Sequence, residues 1–329
     1  MLNQYQNLMD LFLRHLESYQ INLIGKKPKE LYEPEDYILS LGGKRLRPLL
    51  ALIACDLFDK DPNLSLHSAL SVELFHNFSL IHDDILDAAP IRRNMPTVHK
   101  KWNNNIAILS GDVMLVKSFQ SLENYGFKEY KKLSKIFNET AIEVCEGQQM
   151  DMNFETYDNV SVEDYIQMIT LKTAVLLGCS LKMGGVNAYT SEENLNNIYE
   201  FGKHLGIAFQ LLDDKLDTFS ENLEKFGKQI GGDILASKKT FLLIKALELS
   251  DDKQKKELIN YLELQPIEAD KKIKGVLNIY NQLNIKKLCE QEADKHTNIA
   301  IDFLDKVEAN SSKKDQLKLF ALELLKRQV

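Results

Sequence analysis

Apolar residues fall along this chain in long runs broken by short polar punctuation. From Leu66 to Asp87 the sequence LHSALSVELFHNFSLIHDDILD is apolar on nearly every helical side until carboxylates appear, the pattern of a central, buried helix. The stretch Leu195 to Phe219 has the same character and again ends in carboxylates, so the two read as counterparts. Between them, Asn105 to Tyr125 and Tyr130 to Met152 carry helical periodicity, and Val162 to Met183 resumes it after the polar break Tyr157-Asp158-Asn159. Gly42-Gly43, Pro90 to Pro96, Gly184-Gly185 and Gly231-Gly232 predict loops. Beyond Asp251, Lys and Glu with spaced Leu and Ile predict amphipathic outer helices. No proline stands between Pro96 and Pro266, so that stretch is free of the lost N–H and ring clash that break helices. With no linker and no short repeat, the expectation is an all-α fold in one domain, 1–329.

Composition narrows the function classes. A formal charge of -7 argues against nonspecific nucleic-acid binding, which draws on cation–phosphate contacts. Any phosphate site must therefore be local. The 4 cysteines are scattered without a CxxC pair, which argues against a zinc site or a disulfide framework. No apolar run approaches the roughly 18 residues of a transmembrane helix, and Met1 to Tyr19 mixes Asn, Gln, Asp and Arg into its apolar positions, unlike a secretory signal. A cytoplasmic protein without a transmembrane segment is expected.

Candidate chemistry begins at Asp83-Asp84-Ile85-Leu86-Asp87 and Asp213-Asp214-Lys215-Leu216-Asp217, two copies of one DDxxD spacing. Residues three and four apart share a helix face, so each motif stacks like charges, at a cost of about 0.2–0.5 kcal/mol per exposed pair and more beside apolar flanks. A divalent cation reverses that sign. Magnesium suits such a site because it takes one or two carboxylates and completes its shell with water and substrate phosphate. A calcium loop fits worse, since neither cluster has its alternating ligands and closing Glu. One acidic run alone reads as solvated surface; two, each embedded in an apolar helix, do not.

An acidic chain that binds phosphate needs cations in the same places, and four segments supply them. Gly42-Gly43-Lys44-Arg45-Leu46-Arg47-Pro48 puts three cations in a glycine-opened turn, with Pro48 suited to a first helical turn. Arg92-Arg93 follows the first aspartate cluster, and the arginine fork matches phosphate. Lys172-Thr173 lies in a helix, and Lys228 and Lys238 lie downstream of the second cluster. Together these imply an anionic substrate.

GGKRLRP, HNFSLIHDDILDAAPIRR, Lys172-Thr173, FQLLDDKLD and GKQIGGDILASKKT, in this order and spacing from Gly42 to Thr240, resemble the trans-isoprenyl diphosphate synthases, or polyprenyl synthetases. The resemblance implies the isoprenoid synthase fold, a bundle of long helices around a central cavity with both aspartate motifs facing it, as a homodimer. It implies that Lys44, Arg47 and His76, assisted by Arg93, hold isopentenyl diphosphate. By the same resemblance, Arg92, Lys172, Lys228 and Lys238 would hold an allylic diphosphate such as dimethylallyl, geranyl or farnesyl diphosphate. Asp83, Asp87 and Asp213 would carry three Mg2+ ions, with Asp84, Asp214 and Asp217 completing the clusters, and Thr173, Gln210 and the Lys172 carbonyl would face the allylic cation. Ser237 departs from the glycine that the family often places before the lysine, which leaves Lys239 a competitor of Lys238.

Product length is expected to follow the residues behind the first motif. Phe78, five positions before Asp83, resembles the floor of short-chain enzymes, with Phe75 a turn further away; Ser79, not aromatic, resembles twenty-carbon makers. Geranylgeranyl diphosphate is the expected product, with a farnesyl diphosphate synthase as the alternative. A terpene cyclase would lack the combination of GGKRLRP and Arg92-Arg93, and a noncatalytic partner subunit would show a degraded aspartate cluster. A metal phosphohydrolase using His82-Asp83 would need partner histidines in register, which His67, His99 and His204 do not supply.

Overall fold

The computed structural model describes residues 2–157, 159–219 and 231–326. Its helices run α1 (Gln6–Ile21), α2 (Lys29–Ser40), α3 (Leu46–Leu57), α4 (Leu66–Leu86), α5 (Val98–Lys101), α6 (Asn104–Ser121), α7 (Phe127–Thr156), α8 (Val162–Ile169), α9 (Val175–Asn187) and α10 (Glu192–Phe219). After them come α11 (Gly232–Leu235), α12 (Phe241–Leu249), α13 (Asp252–Leu262), α14 (Ala269–Gln282), α15 (Ile285–Lys306) and α16 (Ser311–Leu325). The all-α expectation holds, with one small hairpin, β1 (Ile91–Arg92) and β2 (Met95–Pro96). By internal contacts the chain divides into two compact units. The first holds Met1–Glu139, Leu176–Tyr199 and Asp305–Lys318; the second holds Thr140–Val175, Glu200–Leu304 and Leu319–Val329.

In the first unit α4 is the central helix that its sequence predicts. Residues from Ser68 to Phe78 bury nearly all round, because a helix apolar on every side has no face to give to water. Its partner α6 approaches closely at Gly111, where an added Cβ would stand 2.4 Å from the His82 ring. The predicted loop at Gly184-Gly185 is instead the interior of α9. Gly184 is there for contact: its missing Cβ would sit 2.1 Å from the Ala51 carbonyl oxygen of α3. The predicted Pro90 to Pro96 loop contains the β1–β2 hairpin, paired Ile91 to Pro96 and Arg92 to Met95. Its turn residues Arg93 and Asn94 both have positive φ, 53° and 63°, the geometry that lets two strands reverse in two residues.

The second unit packs around Tyr165, Ala174, Leu211, Leu242, Leu258, Val276 and Cys289. Helix α8 starts on a capping box in which Ser161 and Asp164 satisfy one another's backbone N–H groups. The helical run then widens into a π turn at Thr170–Ala174. Two glycines make room for it. A Cβ on Gly147 of α7 would fall 2.2 Å from the Lys172 nitrogen, and one on Gly206 of α10 would fall 2.6 Å from the Ala174 Cα.

Contrary to expectation, the run Val162–Asn187 is long and apolar enough for a membrane span, but 72% of its most apolar window is buried inside the protein. It serves as core helix. Replacing Gly147 by Ala should overpack the π turn and cost about 1–3 kcal/mol, a fall of roughly 2–8 °C in the thermal midpoint. Calorimetry of Gly147→Ala beside a surface control such as Lys253→Ala checks this.

Candidate active site

Within the first unit, the glycine turn, α4 and the hairpin bring one group of predicted residues together. Arg45 caps α3 in the left-handed region, φ 45°, and Pro48 lies in the first helical turn as expected. Lys44 is exposed beside it. Arg47 Nη1 lies 3.2 Å from His76 Nε2. Arg93 donates to the Gly42 carbonyl, and its guanidinium passes so near the turn that a Cβ on Gly43, φ +125°, would lie 2.8 Å from it. Only glycine meets both demands there. Burial, then Arg47, Arg93, Arg92 and Arg45 in that order, holds the His76 imidazole well below its usual pKa, so the ring is neutral and accepts from Arg47.

Asp83 and Asp84 occupy the last turn of α4, and Asp87 is its C-cap, its N–H reaching the Asp83 carbonyl at 2.8 Å. The inner carboxylate is Asp84, 1% exposed, gripped by Arg92 through Nε and Nη2 at 2.7–2.9 Å. Burial raises the Asp84 pKa, and the bonded Arg92 opposes that rise. Arg92 also lies 3.7 Å from Asp83. Asp87 is exposed and Asp83 half-buried. Behind this motif Phe78 packs on Phe75 and His82 with ring centroids 5.5 and 4.8 Å away, and Ser79 donates to the His76 carbonyl at 2.8 Å.

A second group forms in the second unit. Asp214 is the inner carboxylate of the second motif, accepting from the Tyr165 hydroxyl and from Gln210 Nε2 at 2.8 Å. Burial, then the neighbouring Asp233 charge, pushes its pKa up to about 8. Thr173 Oγ1 reaches Gln210 at 3.3 Å, which ties the π turn to this motif. Asp217 accepts from the Asp233 N–H at 2.9 Å, at the head of α11. Lys172 pairs with Asp151 at 2.6 Å, and Lys238 stands 3.9 Å from the same carboxylate. Lys228 lies outside the described residues.

Lys238 and Lys239 differ plainly. Lys239 donates to the Phe154 carbonyl at 2.5 Å and to the Tyr157 carbonyl, closing the end of α7, whereas Lys238 joins Lys172. Ser237 takes a left-handed φ of 52°, a region that glycine enters without strain; its hydroxyl donates to the Leu262 carbonyl and accepts from Lys272, at 3.2 and 2.8 Å.

Sequence reasoning missed Asp151, Tyr165 and Glu73. Asp151 stands just past Glu146-Gly147-Gln148-Gln149, a polar interruption of α7 that is a usable signal; Glu73 sits singly in an apolar helix, and Tyr165 lies in the mixed sequence of α8. Among the described residues no three His, Cys, Asp or Glu side chains form a ready-made metal cage. A separate cavity of about 580 Å³, lined by His15, Tyr19, His67 and Lys117 among others, contains none of the predicted site residues.

The sequence pattern of the polyprenyl synthetases matches residues 28–280. The chain belongs to the polyprenyl synthetase family. As such it is a prenyltransferase. It is 40% identical over 247 residues to the geranylgeranyl diphosphate synthase of Saccharolobus solfataricus, covering 73% of this chain and 74% of that one. A solved geranylgeranyl pyrophosphate synthase is 41% identical with a TM-score of 0.93 over 98% of this prenyltransferase and 99% of its own chain. The enzyme of that name from Corynebacterium glutamicum, solved with calcium and isoprenyl diphosphate, is 26% identical with a TM-score of 0.82, covering 99% and 98%.

The two lysines should separate in one experiment. Lys239→Met should lose about 1.5–3 kcal/mol of stability, the range for hydrogen bonds to a charged group, with both Michaelis constants unchanged. Lys238→Met should leave the unfolding midpoint alone and raise the KM of the allylic substrate.

Proposed function

We propose that this chain is a Mg2+-dependent short-chain prenyltransferase that joins isopentenyl diphosphate head-to-tail to an allylic diphosphate, with geranylgeranyl diphosphate as product. The observation that carries the reading is the repeated build of the aspartate motifs. In each, the inner carboxylate is held by the protein, Asp84 by Arg92 and Asp214 by Tyr165 and Gln210, while its neighbours Asp83 and Asp213 remain part-exposed on the same helix. A carboxylate fixed from behind steadies the helix end that offers the others to a cation.

Lys44, Arg47, neutral His76 and Arg93 take the diphosphate of isopentenyl diphosphate; Arg92, Lys172 and Lys238 take that of the allylic partner, with Lys228 assigned the same role from sequence. Asp83, Asp87 and Asp213 would hold magnesium, supported by Asp84, Asp214 and Asp217, with three ions expected per site. Their oxygen-only donor set fits a hard cation, which when bound supplies neutralisation of the leaving diphosphate. Lys172 and Lys238 then stabilise the charge that grows as the allylic C–O bond breaks. Thr173, Gln210 and the Lys172 carbonyl turn their oxygen dipoles to the allylic cation. The isopentenyl double bond attacks that cation, and the proton lost from the adjacent carbon leaves with the departing diphosphate. Apolar walls including Phe75 and Phe78 exclude the water that would quench it.

The reading extends to one catalytic domain over 1–329 and to a cytoplasmic homodimer. The dimer is supported by an apolar stripe on α6, where Ile108, Leu109 and Val116 are 42%, 58% and 65% exposed. A farnesyl diphosphate product is the second reading, favoured by the bulk of Phe78 at 9% exposure behind the first motif.

Turnover of radiolabelled isopentenyl diphosphate with each allylic starter, with and without Mg2+, tests the class. Asp83→Ala and Asp213→Ala should each lower kcat about a hundredfold or more, in line with lost transition-state charge stabilisation, and wild-type rates in both would end the metal assignment. Phe78→Ala should lengthen the products. Chromatography of the dephosphorylated alcohols reads this directly, and an unchanged profile removes Phe78 as the floor.

A further inference from the structure

The middle cation of the glycine turn has a task different from its neighbours'. Arg45 does not face solvent with Lys44; its side chain is 4% exposed and reaches the Glu73 carboxylate of α4 and the Leu39 carbonyl. Glu73 is itself 2% exposed. Asn77, one turn further along α4, donates at 2.8 Å to both the Glu73 side chain and its carbonyl, which fixes the carboxylate on that face. The backbone carbonyl of Arg45 takes the first helical bond of α3, from the Leu49 N–H at 3.1 Å, while its φ of 45° sets the bend of the turn. Glu73 thus touches the residue that decides where Lys44 and Arg47 point. Its negative charge also acts favourably on Arg47 and Arg93.

We propose that Glu73 is a positioning residue for isopentenyl diphosphate: as the buried counter-ion of Arg45 it locks the Gly42–Arg47 turn into its diphosphate-binding shape before substrate arrives. This rests on the assignment of Lys44, Arg47, His76 and Arg93 to that substrate. The Glu73 charge acts on Arg47 and Arg93 as well as on its bonded partner Arg45, whereas the hydrogen bonds to the Asp84 carboxylate come from Arg92, so Glu73 is a carboxylate bonded directly into the turn. A buried arginine stripped of its counter-ion is driven toward water, and Arg45 leaves only by reopening the turn. Glu73 touches no reacting atom; its effect passes through Arg45 and is confined to one of the two substrates.

Glu73→Gln removes the charge while keeping the shape. The expected result is a KM for isopentenyl diphosphate raised roughly tenfold or more, with kcat and the KM of the allylic substrate within about twofold of wild type, as fits loss of binding equal in ground and transition states. A lower unfolding midpoint with both constants unmoved would overturn the proposal, as would equal rises in both. A tighter KM for isopentenyl diphosphate would also overturn it, by showing Glu73 to be a competitor for the cations. Arg47→Gln, run in parallel, tests the underlying assignment: if its KM for isopentenyl diphosphate is unchanged, that assignment fails and Glu73 falls with it. If Glu73→Gln does not accumulate folded, Asn77→Ala carries the test, with a selective rise of roughly twofold to fivefold expected and an equal shift of both constants counting against it.

Discussion

Charges meant for a substrate must be held by something until the substrate arrives, and in this protein that constraint shapes both halves of the chemistry. An unpaired arginine or carboxylate out of water carries a desolvation penalty of several kcal/mol. Three strongly buried charges of the site accordingly have a protein counter-ion or a set of hydrogen bonds: Arg92 on Asp84, Glu73 on Arg45, Tyr165 and Gln210 on Asp214. Asp151 does the same for Lys172 and lies within 3.9 Å of Lys238. Lys44, Asp83, Asp87 and Lys238 keep more exposure than these.

The counter-ions impose order in sequence as well as in space. Glu73, His76 and Asn77 are three and four apart on α4, so the residue that anchors the turn and the residue that meets Arg47 share one helical face. Asp84 continues along the same helix to Arg92, whose hairpin also delivers Arg93 to Gly42. One helix thereby fixes the spacing between a cluster of arginines and a carboxylate pair. On the second unit, Thr173, Gln210 and Asp214 form a bonded series from the π turn to the second motif, with Gln210 and Asp214 four residues apart on α10.

These local rules explain what the sequence made legible. DDxxD, GGKRLRP and Arg92-Arg93 are short, dense in charge and embedded in apolar context, so their chemistry can be read without the fold. The single polar residues that support them cannot. Tyr165 meets Asp214 across 49 residues and Glu73 meets Arg45 across 28, and nothing local distinguishes either from an ordinary polar residue in a core helix. Gly184-Gly185 misled for a related reason: glycine in a loop and glycine at a helix crossing look alike until the partner, here Ala51, is known. The π turn was equally invisible, because its cause lies in Gly147 and Gly206 on two other helices.

The π turn also shows why the second unit tolerates an irregular helix. A widened turn gives up regular backbone pairing, and such turns persist where their geometry serves a site. Here it sits between two glycine-made approaches, and the adjacent Thr173 hydroxyl is held by Gln210. Lys172 lies inside the turn with its ammonium on Asp151, so carbonyl and side chain of one residue are set by different contacts. In a regular helix the Lys172 carbonyl would be committed to the N–H four residues on; a wider turn changes that pairing and the direction of the carbonyl. That is the geometric opening for a backbone oxygen to turn away from the regular helical bond while the same residue's ammonium stays on Asp151.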